Sequence, residues 1–307
     1  MHTRGIADMI LNHHTIGIRG LLTLAFCAAC QNAAGQIVYN ADSRNVTASS
    51  TMILADAGGG DPELFEQDFS DMPDPLFGVF DASRLALLLG PGGNATTSLA
   101  VQDSSLVAGT LTASGFVETQ VNLIDAAPGS SVDAEASSVY RVGFSYDPGV
   151  YYIIRVSGSI AIESPDQGGQ TNAEVLFGIG GGLGLDRPTR YERRLFGGAT
   201  SAEINNRIML GPGQYEYIFE ASSSASATQG NPGQSEASYD VTVEVLARPC
   251  NFADLAEPYF QLDLADIQAY VEGYQNSDSI IDYVEPFGVL DLAEIAAFVS
   301  AFVDGCP

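Results

Sequence analysis

Between Gln36 and Ala247 apolar and polar residues alternate in runs broken by short polar stretches. The runs that read as strands include Ser138–Tyr146, Tyr151–Glu163, Asn172–Ile179, Arg190–Phe196, Gln214–Ala221 and Ser238–Leu246. Within the second of these, Tyr152, Ile154, Val156 and Ile160 fall largely on alternate positions, as a half-buried strand requires. The breaks are rich in turn formers: Asp147-Pro148-Gly149, Asp166-Gln167-Gly168-Gly169 and Asn231-Pro232-Gly233. Many short strands spaced in this way predict a mainly β body over residues 36–248. The expected form is an antiparallel β-sandwich, jelly-roll-like in its winding.

Local signals refine this picture. Pro212-Gly213 followed by Tyr215 at a strand start resembles the tyrosine corner of sandwich domains, in which the phenol bonds back to the backbone. The glycine run Gly178–Gly184 lacks the helix that a phosphate-binding loop needs and is expected to be a loop or bulge. The Ser/Ala run Ser222–Ser226 is expected in a strand. Residues 56–97 mix Phe65, Phe69, Phe77 and Phe80 with Asp61, Asp68, Asp71 and Asp74, and read as a long loop pinned to the sandwich by its phenylalanines, with a cation- or ligand-binding loop as the alternative.

The pattern changes after Arg248. Residues 254–274 and 282–302 are one unit written twice with an offset of 28, pairing Asp254 with Asp282, Glu257 with Glu285, Pro258 with Pro286 and Asp263 with Asp291. Each copy ends in a helical periodicity: Leu264, Ile267, Val271 and Tyr274, then Leu292, Ile295, Val299 and Phe302. These stripes are expected to face the core, leaving Gln268, Glu272, Ala296 and Ser300 exposed on the opposite faces. Asp263 and Asp291 stand where N-caps belong, and Asp266 and Glu294 follow three residues on, as in a capping box. The expectation is a small all-α helix pair over residues 249–307.

Composition then restricts the chemistry. Arg19, the apolar stretch Gly20–Ala29 and the small residues Ala33, Ala34 and Gly35 have the layout of a secretory signal, assigned to residues 1–35. That apolar core is too short to span a membrane. All three histidines lie inside this leader, and the whole sequence has no lysine and no tryptophan. A Ser-His-Asp triad and a Schiff-base lysine are thereby excluded from the exported chain. Carboxylate or cation-assisted chemistry survives. The formal net charge of −26 disfavours nucleic acid and anionic membranes and favours divalent cations or plain solvation.

Cys250 and Cys306 flank the duplicated unit, and an even pair at the ends of a small exported module reads as a disulfide. With its acidic pre-helical segments, the unit resembles the dockerin module, whose two repeats each join an EF-hand-like calcium loop to a helix. It is most similar to the variant bounded by cysteines, here Cys250 and Gly305-Cys306-Pro307. The resemblance implies calcium as cofactor, with Asp254, Glu257, Asp263 and Asp266 supplying one loop and Asp282, Glu285, Asp291 and Glu294 the other. It also implies a surface or scaffold receptor, cohesin-like, as partner. Each loop is one residue longer than the usual 12, and Pro258-Tyr259 or Pro286-Phe287 replace the mid-loop acid or amide. The turn glycine is Gly288 in the second copy but Phe260 in the first. Fully capped, metal-free helices are the alternative.

The function read from these features is that of an exported, non-catalytic sandwich tethered at an extracellular surface, serving adhesion, binding or envelope structure. Two alternatives keep the same tail. A glycoside-active enzyme would draw a carboxylate pair from Glu163, Glu174, Glu192 and Glu216. A polysaccharide-binding module would stack sugars on Tyr151, Tyr152, Tyr191 or Tyr217, although strand packing explains those tyrosines equally.

Overall fold

The computed structural model describes residues 38–55, 63–71, 79–107, 110–124, 127–146, 151–164, 170–181, 191–228 and 232–306. The expected export signal, residues 1–35, lies outside them. Among the described residues, twelve strands form two six-stranded sheets in which every pairing is antiparallel. In chain order they are β1 (Val38–Leu54), β2 (Glu63–Asp71), β3 (Phe80–Leu89), β4 (Ala95–Val107), β5 (Thr110–Asn122) and β6 (Ser131–Tyr146). There follow β7 (Tyr152–Glu163), β8 (Gln170–Gly181), β9 (Tyr191–Phe196), β10 (Thr200–Leu210), β11 (Gly213–Ala227) and β12 (Gly233–Ala247). One sheet runs β2-β1-β6-β11-β8-β9 and the other β10-β7-β12-β5-β4-β3. The expected two-sheet antiparallel sandwich is therefore present. Two helices close the chain, α1 (Leu264–Asn276) and α2 (Leu292–Asp304).

All six named strand segments occur, but the strands are longer than anticipated, reaching 17 residues in β1. The segment 56–97 was expected to be a loop; instead it contains β2 and β3, with Phe80 buried in the core and Phe69 40% exposed. Asp61, Asp74 and Phe77 fall outside the described residues. The reason β1 and β4 escape a hydrophobicity pattern is visible in their inward positions. In β4 these are Thr96, Ser98, Ala100, Gln102 and Ser104, all buried. Small and hydroxylated side chains fill the space there, so burial alternates while hydropathy does not. Ser98 bonds Ser50 of the facing sheet at 3.0 Å, and Thr119 of β5 bonds Ser235 of the neighbouring β12 at 2.9 Å. The Ser222–Ser226 run lies in β11, as expected. The first part of the glycine run, by contrast, continues β8 as far as Gly181, and its remainder, residues 182–184, lies outside the described residues.

Toward the end where β6 finishes and β7 begins, the core becomes aromatic. Phe144 stacks on Tyr217 at 4.3 Å and Tyr146 on Tyr152 at 4.2 Å. Close packing leaves no tolerance at two glycines. Gly115 lies under the Tyr239 ring, which a Cβ would meet at 2.4 Å, and Gly158 has φ +144° with Asp240 O only 2.0 Å from where a Cβ would stand. The Tyr215 hydroxyl donates to Gly211 O at 3.1 Å, which makes the expected tyrosine corner.

A buried ion pair sits among these rings. Arg44 donates to Asp42 through Nε and Nη2, at 2.9 and 2.8 Å, and its guanidinium lies 4.7 Å from the Tyr140 ring centroid and 5.6 Å from that of Phe80. Nothing in the hydropathy pattern announces it.

Candidate functional site

The duplicated segment folds around a set of backbone-to-carboxylate hydrogen bonds written twice. In the first copy, Asp254 Oδ2 accepts from Phe260 N at 2.8 Å, Asp263 Oδ1 from Ala265 N at 2.7 Å and Asp266 Oδ2 from Asp263 N at 2.8 Å. In the second, Asp282 Oδ2 accepts from Gly288 N at 2.6 Å, Asp291 Oδ1 from Ala293 N at 2.6 Å and Glu294 Oε2 from Asp291 N at 2.8 Å. Each donor and each acceptor is displaced by the same 28 residues that relate the two sequences. Both helices begin in complete capping boxes, as their sequences require. The first copy adds three bonds: Cys250 N to Asp254 Oδ2 at 2.7 Å, and Leu255 N and Ala256 N to Asp266 Oδ1 at 2.7 and 2.9 Å.

Asp254, Asp266 and Glu294 are fully buried by this arrangement, whereas Glu257 and Glu285 point to solvent beside cis Glu–Pro bonds. Burial pushes the Asp254 carboxyl up; the two N–H groups that it accepts counter this in part, and the Asp266 charge adds to it. Among the described residues no three of the eight expected ligands bring carboxylate oxygens within 4.8 Å of one another. The cluster that does meet that distance is Cys250, Asp254 and Cys306, and its sulfurs are joined to each other.

The disulfide Cys250–Cys306 is formed as the sequence suggests, with Cα atoms 5.4 Å apart across 56 residues. Asn251 beside it was not singled out by sequence reasoning, yet its amide donates to Ala301 O and Gly305 O at 3.0 Å each and so caps the C-terminus of α2. Its signal was an amide next to a half-cystine, too short to read alone.

The helix faces differ from expectation. The inward residues are Asp266, Tyr270 and Gly273 in α1 and Glu294, Phe298 and Ala301 in α2. Tyr270 and Phe298, equivalent positions of the two copies, stack at 4.1 Å. The stripes expected inside largely face outward: Leu264 is 67% exposed, Val271 45%, Leu292 78% and Val299 52%. Gln268, Glu272, Ala296 and Ser300 are exposed as expected, but they flank these apolar residues instead of opposing them. The cause is that the caps draw Asp266 and Glu294 inward, and a helix cannot turn one residue in without turning the whole face.

The module is not packed on itself alone. Its core continues into Ile153, Met209 and Ala247 of the sandwich, and Tyr151 meets Phe252 edge-on at 6.1 Å. Arg207 pairs with Asp278 at 3.4 Å, and the Ser279 hydroxyl donates to Arg207 O at 3.0 Å. An open groove beside this junction is lined by Arg155, Tyr191, Asn206, Arg207 and Asp278 among others. Its acid, Asp278, is already paired.

Of the residues weighed for carbohydrate chemistry, Glu174 and Glu192 come together on neighbouring strands, where both are held by Arg194. Glu163 is on one sheet while Glu174, Glu192 and Glu216 are on the other. Arg194 takes up both Glu174 and Glu192, at 3.1 and 3.7 Å. Tyr152 and Tyr217 are core residues, Tyr151 packs on the module, and Tyr191 is half-buried 5.8 Å from the Phe177 ring. No helix among the described residues is long and apolar enough to cross a membrane.

No family model matches the chain, and no curated protein matches it. Solved structures that it is similar to include one of infectious bursal disease virus, Gx strain, at 11% identity, covering 84% of this chain and 78% of that one with a TM-score of 0.13. Another is of T=1 particles derived from infectious bursal virus, at 10% identity, 84% and 92% coverage and a TM-score of 0.12. At such TM-scores the likeness bears neither on fold nor on function.

Proposed function

We propose that this chain is an exported, non-catalytic β-sandwich protein held at a surface or scaffold by its C-terminal dockerin-like module, with a role in adhesion, binding or envelope structure. In this reading the winding of β5–β12, ordered β5-β12-β7-β10 on one sheet and β6-β11-β8-β9 on the other, is a jelly roll with β1–β4 added at its flank. The sandwich is the cargo, the helix pair is the attachment device, and the partner is a cohesin-like receptor module outside the cell.

One observation carries the reading: apolar side chains stand outward in register on both helices, at Leu264 and Leu292 and at Val271 and Val299. A small module with few apolar residues has every reason to bury them unless another molecule covers them. Phe260 supports the same view. It holds φ +72° and leaves its ring 68% exposed. The left-handed conformation costs a non-glycine residue about 1 kcal/mol or more, and burial of that ring does not offset it. The attachment reading stands with or without calcium.

The test follows the full chain, fused to a reporter, in its parent cell. Wild type is expected in the surface fraction, and a variant carrying Leu264→Asp, Val271→Asp, Leu292→Asp and Val299→Asp, shown by circular dichroism to fold, is expected in the medium. Equal retention of the two overturns the docking face, and equal loss of both overturns attachment.

A further inference from the structure

The acidic loops, on which a calcium site rests by resemblance, are built for a different donor. Calcium takes six to eight oxygen ligands at about 2.3–2.6 Å, so ligands around one ion lie within about 5 Å of one another. The eight paired acids do not gather in that way. Backbone N–H groups converge on them instead. Asp266 accepts three, two on Oδ1 and one on Oδ2, and Asp254 Oδ2 accepts two. A carboxylate offers about four lone-pair positions, so Asp266 has little left for a metal. The partners that the structure gives these carboxylates are backbone N–H groups.

In the second copy Asp282, Asp291 and Glu294 each accept one backbone N–H at the equivalent positions. Mid-loop ligands are missing from both, since Pro258-Tyr259 and Pro286-Phe287 occupy those positions and Glu257 and Glu285 face solvent. The buried Asp254 Oδ1 has no hydrogen-bond partner. An Asp254 carboxylate oxygen does lie within 4.8 Å of both sulfurs of the disulfide, but disulfide sulfurs lack the thiolate charge that binds metal. What an ion contributes to a small helix pair, a fixed centre, is supplied here by the disulfide, the Tyr270–Phe298 stack and the shared core with the sandwich.

We propose that backbone N–H groups have replaced the divalent cation in both loops, so that the module folds and presents its outward face without calcium. This does not depend on the attachment reading, and its test involves no partner. Full-length protein is dialysed against EDTA and titrated with calcium chloride by calorimetry, with magnesium chloride as the matched control. Thermal unfolding is followed in EDTA and in excess calcium. The expected result is no saturable heat, and melting temperatures that agree to about 1 °C, whereas an ion held at 100-fold over its Kd raises Tm by more than that.

Stoichiometric calcium uptake that Asp254→Asn or Asp282→Asn removes overturns the proposal. A diffuse uptake that magnesium reproduces, and that these variants leave unchanged, belongs to the acidic surface and supports it. Where Asp254→Asn fails to fold, the wild-type titration alone decides, and Glu257→Gln with Glu285→Gln reports whether the exposed acids take part.

Discussion

Arg44 and Asp42 show how much a single residue can commit the core. Both side chains are almost fully buried, and each satisfies the other through two bonds. Removing one partner strands the other charge in a medium that cannot solvate it. Arg44→Leu is therefore expected to destabilise the protein by about 3–5 kcal/mol, read by urea unfolding, while adding Asp42→Val recovers most of the loss. A double variant no better than the single would show that the guanidinium acts through its rings, Tyr140 and Phe80, more than through its charge. At the same scale the tyrosine corner was legible in the chain, because Pro212-Gly213 and Tyr215 are adjacent in sequence. The Arg44 pocket was not: its partner rings come from β3 and β6, elements far along the chain.

Elements were legible in proportion to how far burial tracks hydropathy. β7 alternates large apolar residues with polar ones and was read directly. β4 lines its inner face with Thr96, Ser98, Ala100, Gln102 and Ser104, and β1 sets Arg44 and Ser50 among Val46, Ala48 and Met52, so in both strands burial alternates more cleanly than hydropathy. The helices show the reverse failure. Their apolar periodicity is real, but it marks largely the face that meets solvent, and the buried face combines an acid, one aromatic ring and a small residue in each helix. This inversion has a direct check. Tyr270→Ala and Phe298→Ala are each expected to cost about 3–5 kcal/mol in unfolding experiments. Val271→Asp and Val299→Asp are expected to change stability by less than about 0.5 kcal/mol. If the valine variants were the damaging pair, the helices would be rotated from the orientation described. Removing a cap, Asp263→Ala or Asp291→Ala, is worth about 1 kcal/mol.

At the scale of the whole molecule the two parts meet through Ile153, Met209 and Ala247, so their stabilities are linked. The bond Cys250–Cys306 closes a loop with 56 residues of separation. Replacing both cysteines by serine is expected to lower the stability of the module by about 4 kcal/mol through the entropy of the unfolded chain. The intact protein should show one unfolding transition, coincident by far-ultraviolet circular dichroism and tyrosine fluorescence. The serine variant is expected to lose its helices first. Two separate transitions in the intact protein would mean that the shared core is too slight to couple the parts. The sequence foretold the bond from two cysteines placed at the ends of a repeat. It was silent on the shared core, because the sandwich residues that form it look like any other strand positions.

The position of β12 has a mechanical consequence. This strand runs between β5 and β7 and leads directly to Cys250, at the root of the helix pair. A load applied through the helices therefore enters the sandwich along the axis of an interior strand. Its ladders on both sides are loaded together in shear, the direction in which a sheet resists tearing best, and the sulfur bridge ties both ends of the module to the root of that strand.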